Sequence, residues 1–398
     1  MSIRFAERNK RLGTETAFAV GAEAAQFSLT GARVYPFHLG DLNIPTPEHI
    51  VEAAIRAIRE GKTGYCPTPG ILPLREALAE DISRSRDLNL DAGNVSIQTG
   101  GKPVIGKFIM TLMNPGDEVL YPNPGYPIYE SMINFHEGVG KPYGFRETEK
   151  GFALDLDAIE RQISPKTKLL IYNNYHNPTS AESDEEEMKR LADICLKHNL
   201  YVLSDEAYFD MLYDSKGMSI SRFPGLFERT VILFTFSKKF AMTGWRLGAA
   251  IGPKEIIDAI SLFNVNDESC TNHFVQWAGL AAIKGPMEPY REMLKTLKER
   301  RDTSVEILNQ MKGISVGKPN STFYLFANIT AAMKDLGMQD VEDFRKQVLY
   351  KTGVSFTTRN HFGTPLPGEK QKYIRLAYSG INTSDIREGL GKMKELLG

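Results

Sequence analysis

A succession of short apolar segments, each stopping at a polar or glycine-rich turn, constrains this chain more than any other feature. Val95–Gln98 is followed by Gly100-Gly101, and Glu118–Tyr121 by Pro-Asn-Pro-Gly. Lys168–Tyr172 ends in Asn173-Asn174, Leu200–Leu203 in Ser-Asp-Glu, and Val231–Phe236 in Ser-Lys-Lys. Leu247–Gly252 reads as one more strand. Continuous apolar runs separated by helical stretches, such as the charged segment 183–199, predict a mostly parallel sheet sandwiched by helices, an α/β architecture.

In such a sheet, ligands bind outside the carboxyl ends of the strands. Gly101, Tyr126, Asn177, Asp205, Tyr208 and Lys238 all fall just beyond strand ends. A purely structural sheet has no need to collect these groups on one rim, so the rim is the expected site. Beyond residue 290 the pattern changes. A charged helical stretch over 291–312 precedes short strands near Thr322–Phe326 and Lys372–Leu376, with helices between and after. Strands mixed with helices predict a smaller α+β domain. A length of 398 residues suits two domains. We expect an N-terminal arm (1–45) that joins the small domain, a large domain (46–290) and a small C-terminal domain (291–398).

Lys238 stands in Thr235-Phe-Ser-Lys-Lys-Phe-Ala-Met-Thr-Gly-Trp-Arg246. A lone lysine at a strand end is ordinarily a solvated surface charge. Here Thr235 offers a hydroxyl, Gly244 permits close backbone approach, and Arg246 offers a guanidinium suited to a phosphate dianion. A lysine near cations and partly desolvated has a lowered pKa, which frees its amine as a nucleophile. Asp205 alone would read as a helix N-cap. Beside a nucleophilic lysine it also suits a pyridine nitrogen, whose protonation turns the ring into an electron sink. Tyr208 and Asn177 offer hydrogen-bond donors for a phenolate oxygen on such a ring. In Gly100-Gly101-Lys102-Pro103, the proline suits a first helical turn, whose free N–H groups bind anions.

The stretch Gly101–Lys107 also matches the first seven positions of a nucleotide-binding P-loop. Phe108 then stands where Ser or Thr would ligate magnesium, and Pro103 interrupts the N–H cradle, so that reading is set aside.

The segment Thr235–Gly248 resembles the cofactor-lysine signature of class I/II aminotransferases, the aspartate aminotransferase-like family of fold type I. The resemblance spans nearly the whole chain: Gly64-Tyr65-Cys-Pro-Thr-Pro-Gly70, Pro122-Asn-Pro-Gly-Tyr-Pro127, Asn173–Thr179, Asp205–Tyr208 and Tyr373-Ile-Arg375 follow in the family's order. It implies pyridoxal 5'-phosphate as cofactor and Lys238 as the Schiff-base lysine and proton carrier. By the same resemblance Asp205 would pair with the pyridinium, Asn177 and Tyr208 would contact the phenolic oxygen, and Tyr126 would stack on the ring. Gly101 and Lys102 (through backbone N–H), Thr235 and Arg246 would hold the phosphate. Tyr65 would reach the neighbouring subunit's phosphate, implying a homodimer with shared active sites. Arg375 would clamp the substrate α-carboxylate, with Gly40 nearby. The chain departs from the family pattern at Tyr175, where Pro is usual, and Ser180, where Gly is usual. Lys239 is a rival nucleophile by position, but the spacing to Thr235 and Arg246 favours Lys238.

Composition narrows the alternatives. A formal net charge of -1 points away from nucleic acid. No apolar run approaches the ~20 residues of a bilayer span, and the charged N-terminus does not resemble a secretory signal. Three scattered cysteines and no paired histidines suggest a cytoplasmic protein without a metal site. The expected reaction moves an amino group from an L-amino acid to a 2-oxo acid, with aspartate and 2-oxoglutarate the first choice. Alanine, aromatic or broad specificity stays open. A pyridoxal-phosphate C–S lyase shares the same core. A cofactor-sensing regulator would need a DNA-binding domain for which the chain has no spare length.

Overall fold

The computed structural model describes residues 3–148 and 151–398. Among them, seven strands form the main sheet: β1 (Val95–Gln98), β2 (Glu118–Pro122), β3 (Val139–Tyr143), β4 (Thr167–Tyr172), β5 (Tyr201–Asp205), β6 (Thr230–Thr235) and β7 (Gly248–Ile251). Their order is β1-β7-β6-β5-β4-β2-β3. Strands β2 to β6 pair in parallel. β7 runs antiparallel to both β6 and β1. β3 carries Pro142 and is half-exposed, which suits a sheet edge and explains its weak sequence signal.

The alternation of side chains along β6 shows why its continuous apolar run is needed. Ile232 and Phe234 pack with the helices Glu48–Arg59, Leu72–Arg86 and His273–Lys284. Val231 and Leu233 pack on the opposite face with the helices Lys102–Leu112 and Lys254–Asp267. Both faces are covered, so both sets must be apolar.

A second core lies over the C-terminal part. β8 (Tyr324–Asn328), β9 (Thr357–Thr358) and β10 (Tyr373–Ala377) form an antiparallel sheet in the order β8-β10-β9. The charged helix runs Glu288–Leu308, starting slightly before the expected 291. Tyr35–Pro36 pairs in parallel with Val354–Ser355, and Tyr35 and Phe37 are buried in this second core. Tyr208, Phe209, Met211 and Leu212, from the turn after β5, belong to the same cluster. The strand-end rim of the main sheet therefore faces the second core.

Candidate active site

Between the rim and the second core lies a cavity of about 590 Å³. Gly40, Gly101, Lys102, Tyr126, Asn177, Asp205, Tyr208, Thr235, Lys238, Arg246 and Arg375 all line it. Tyr65 does not. It stands 88% exposed on its own chain's surface.

Lys238 follows β6, and its Nζ donates to the Gly40 carbonyl at 2.7 Å. Burial, with the charges of Arg375 and Arg246, pulls its pKa down to about 8 against the opposing pull of Asp41 and Glu15. Lys239 points elsewhere and pairs with Asp210 at 3.1 Å.

At one end of the cavity, three loops converge. Gly100 has φ +100°, and a Cβ there would meet Arg246 Nη2 at 2.3 Å. A Cβ on Gly101 would meet Leu233 Cδ2 at 2.7 Å and Thr235 Cβ at 3.4 Å. The missing side chains leave a cradle beside the helix Lys102–Leu112, with Pro103 in its first turn. The Thr235 hydroxyl donates to Ser237 Oγ at 2.9 Å. Helix N–H groups, hydroxyls and a guanidinium together form an anion-binding set. Lys107, the lysine of the discarded P-loop reading, is buried within the helix. It donates to Gln98, Asn264 and Glu268 at 2.7–3.1 Å and holds the helix in place.

Asp205 ends β5 and is buried. Its Oδ2 accepts from the Tyr129 phenol at 2.6 Å and its Oδ1 from the Ala207 N–H at 3.1 Å. Burial nevertheless pushes its pKa up to about 6, which these two hydrogen bonds limit. Asn173 Nδ2 donates to the Asp205 carbonyl at 2.9 Å and fixes the strand end. The ring of Tyr126 meets that of Tyr129 edge-on, with centroids 5.7 Å apart.

Arg375 arrives on β10. Its Nη1 donates to Asn177 Oδ1 at 3.2 Å and its Nη2 to the His38 carbonyl at 2.7 Å. The guanidinium lies 4.5 Å from the Tyr324 ring centroid and 4.8 Å from that of Phe362, and its buried Nε has no protein partner. Burial and the Arg375 charge lower the His38 pKa to about 4, so this histidine stays neutral beside the arginine. The hydroxyls of Tyr324 and Tyr208 share a 2.6 Å hydrogen bond. A Cβ on Gly40 would fall 2.0 Å from Tyr324 Oη, so the position has no room for any side chain.

The two departures from the family pattern have structural reasons. Tyr175 has φ +57°, which proline cannot adopt, and its hydroxyl accepts from the Met218 N–H. Ser180 has φ +56°, where glycine is at ease, and its hydroxyl donates to the Tyr324 carbonyl at 2.9 Å.

Glu15, Tyr129 and Tyr324 line the cavity without a sequence signal of their own. Ser237 and Asn173 lay inside the quoted motifs, where a hydroxyl or amide beside Lys238 or before Asn177 could have singled them out. Among the described residues, no cluster of His, Cys, Asp and Glu is arranged to hold a metal ion, and no helix is long and apolar enough to cross a membrane.

The chain is similar to known proteins over nearly its whole length. A probable aspartate/prephenate aminotransferase of Aquifex aeolicus is 34% identical over 398 residues, covering 98% of each chain. The aspartate aminotransferase of Thermus thermophilus, solved with maleate, superposes with a TM-score of 0.90 at 29% identity, covering 99% of this chain and 100% of that one. An aromatic aminotransferase from Pyrococcus horikoshii gives a TM-score of 0.86 at 29% identity, with 94% and 98% covered. The family model for aminotransferase class I and II matches residues 34–393, and the chain is a member of that family.

Proposed function

We propose that this aminotransferase uses pyridoxal 5'-phosphate to move the amino group of an L-amino acid, aspartate in the first instance, to a 2-oxo acid such as 2-oxoglutarate. One observation carries the reading. A buried amine with its pKa near 8, a buried carboxylate and a buried guanidinium share a single cavity. The probable aspartate/prephenate aminotransferase of Aquifex and the aspartate aminotransferase of Thermus support aspartate as the donor.

The residues present fit the cofactor. The Gly100-Gly101 cradle, Thr235 and Arg246 match a phosphate dianion, and a buried carboxylate whose pKa is raised matches a protonated ring nitrogen. When bound, pyridoxal phosphate supplies a protonated pyridine ring that draws electrons from the substrate α-carbon. Lys238 would be its covalent anchor and, once displaced, would take the α-proton on Nζ. Its lowered pKa keeps part of the amine neutral at pH 7. Asp205 would hold the proton on the ring nitrogen. Asn177 and Tyr208 would contact the phenolic oxygen, and Tyr126 would stack on the ring; all four line the same cavity. Arg375, preset by Asn177 and the His38 carbonyl, receives the α-carboxylate. Gly40 leaves room for Tyr324 beside it.

We take residues 46–290 as the cofactor-binding domain, with 1–45 and 291–398 as the second. The packing of Tyr35 and Phe37 against the C-terminal strands supports this division. We also take the protein to be a cytoplasmic homodimer in which Tyr65 completes the partner's phosphate site. Its exposure, and that of Leu262 and Val265 on the helix Lys254–Asp267, supports an uncovered interface. A monomer by light scattering would overturn that part.

The deciding experiment is a two-substrate transamination screen on wild type and Lys238→Ala. Stoichiometric keto-acid exchange that is lost in the variant is expected. Turnover without Lys238 would overturn the assignment, and keto-acid release without an amino acceptor would replace it with elimination.

A further inference from the structure

Two buried residues behind the cavity hold backbone that glycine adopts most easily. Ser180 has φ +56° and Thr322 has φ +62°. Among the described residues, Thr322 is the only β-branched one with positive φ. Such a residue stays there only where its surroundings impose it. The Thr322 N–H donates to the Met211 carbonyl at 2.8 Å, and the Thr322 carbonyl accepts from the Tyr213 hydroxyl at 2.7 Å.

The hydroxyls of Ser180 and Thr322 meet at 2.6 Å, and both also bond to the main chain of Tyr324. One arrangement of protons satisfies all of these groups. The Tyr324 N–H donates to Thr322 Oγ1 at 3.1 Å. The Thr322 hydroxyl donates to Ser180 Oγ, and the Ser180 hydroxyl donates to the Tyr324 carbonyl at 2.9 Å. The loop closes on Tyr324, each hydroxyl giving and accepting once. Tyr324 needs such partners because β8 is an edge strand, and Ala377, opposite it on β10, donates to Phe37 instead. The loop thus ties Tyr324, whose ring lies 4.5 Å from the Arg375 guanidinium, to the turn that carries Asn177. Arg375 is aimed by both.

We infer that Ser180 and Thr322 are positioning residues for the proposed reaction: their hydroxyl pair locks Tyr324 against the Asn177 turn and so presets Arg375 for the α-carboxylate. Neither side chain lines the cavity, so their effect on the substrate passes through Tyr324 and Asn177. It also accounts for Ser180 itself. Glycine would relieve the left-handed backbone there, but only a hydroxyl closes the loop. The inference rests on the aminotransferase reading, and adds to it two residues that act on every substrate alike, because all share the α-carboxylate.

The test uses the loaded enzyme and compares Ser180→Gly, which removes the hydroxyl and relieves the backbone, with Ser180→Ala, which removes the hydroxyl alone. Steady-state kinetics are measured for every amino acid the wild type accepts, with urea unfolding alongside. Both variants should raise KM by the same factor for each substrate, about tenfold, the scale of one charged hydrogen bond made less well. The kcat should change by less than about twofold. In urea, Ser180→Gly should be the more stable of the two. Thr322→Ser, which keeps a hydroxyl, should retain the wild-type constants. Thr322→Val should match Ser180→Gly, and the double variant should be no worse than either. If Thr322→Val fails to fold, the two Ser180 variants decide. Wild-type constants in Ser180→Gly, or losses that add in the double variant, overturn the inference. A wild type that transfers no amino group at all would instead overturn the aminotransferase reading, and the inference with it.

Discussion

The phenol of Tyr129 donates a 2.6 Å hydrogen bond to the Asp205 carboxylate, in a fully buried setting. Burial pushes Asp205 up to about 6, and this donor favours the charged form. Tyr129→Phe removes ~1 kcal/mol of that support, which corresponds to ~0.7 pH unit. The carboxyl pKa then rises, and at any given pH fewer molecules carry the charge that holds the ring nitrogen protonated. The acid limb of kcat/KM against pH should move upward by ~0.7 unit. An unmoved limb would separate Tyr129 from the titration.

Lys238 predicts a second pH effect. Only its neutral amine attacks a carbonyl, and the neutral fraction rises tenfold per pH unit below a pKa of about 8 and then levels off. The rate at which cofactor-free protein captures pyridoxal phosphate, followed by absorbance, should climb to roughly pH 8 and flatten above it. A rate still climbing beyond about pH 9 would mean that the amine keeps an ordinary lysine pKa.

Arg375→Ala leaves a substrate carboxylate without its charged partner. The loss is ~2 kcal/mol or more, or about 30-fold in the Michaelis constant for every amino acid accepted. Unchanged Michaelis constants would remove Arg375 from substrate binding.

Gly40→Ala places a methyl group where Tyr324 Oη lies 2.0 Å away. Tyr324 is tied to Tyr208 and packed edge-on against Phe323, so the strain passes into the site. A displacement of about 1 Å predicts a roughly 100-fold fall in kcat/KM. Unchanged kinetics in a correctly folded variant would show that the ring withdraws freely.

Behind Asp205, Arg86 Nε donates to Glu206 at 3.0 Å, with both side chains almost fully buried. Arg86 also lies 3.4 Å from the centroid of the Phe209 ring. Arg86→Ala should cost ~3–5 kcal/mol in urea unfolding, because Glu206 becomes an uncompensated buried charge. Arg86→Met combined with Glu206→Gln should recover much of that loss. If the double variant is as unstable as the single, packing on Phe209 rather than charge would be the cause.

Much of the site is legible in the sequence because it is assembled locally. Asp205, Thr235 and Lys238 each follow directly from an apolar strand that must be buried, so the strand ends deliver them to one rim. Gly100-Gly101 and Asn177 are marked by turn chemistry in the same way. The direction of β7 is not encoded in its apolar run, because a strand buried on both faces looks the same whichever way it runs.

The amino-acid sequence by itself determined the layered α/β architecture, the family motifs and the residues that stand at the strand ends. Only the tertiary structure decided which distant groups join them. Tyr324 lies in a strand whose pattern reads as core, and it reaches Tyr208 across 116 residues. Tyr129 sits in a helix 76 residues before the carboxylate it supports. Glu15 meets Lys102 across 87 residues. Local propensity cannot specify such pairs, because they form only when the second core and the N-terminal arm pack against the rim of the main sheet.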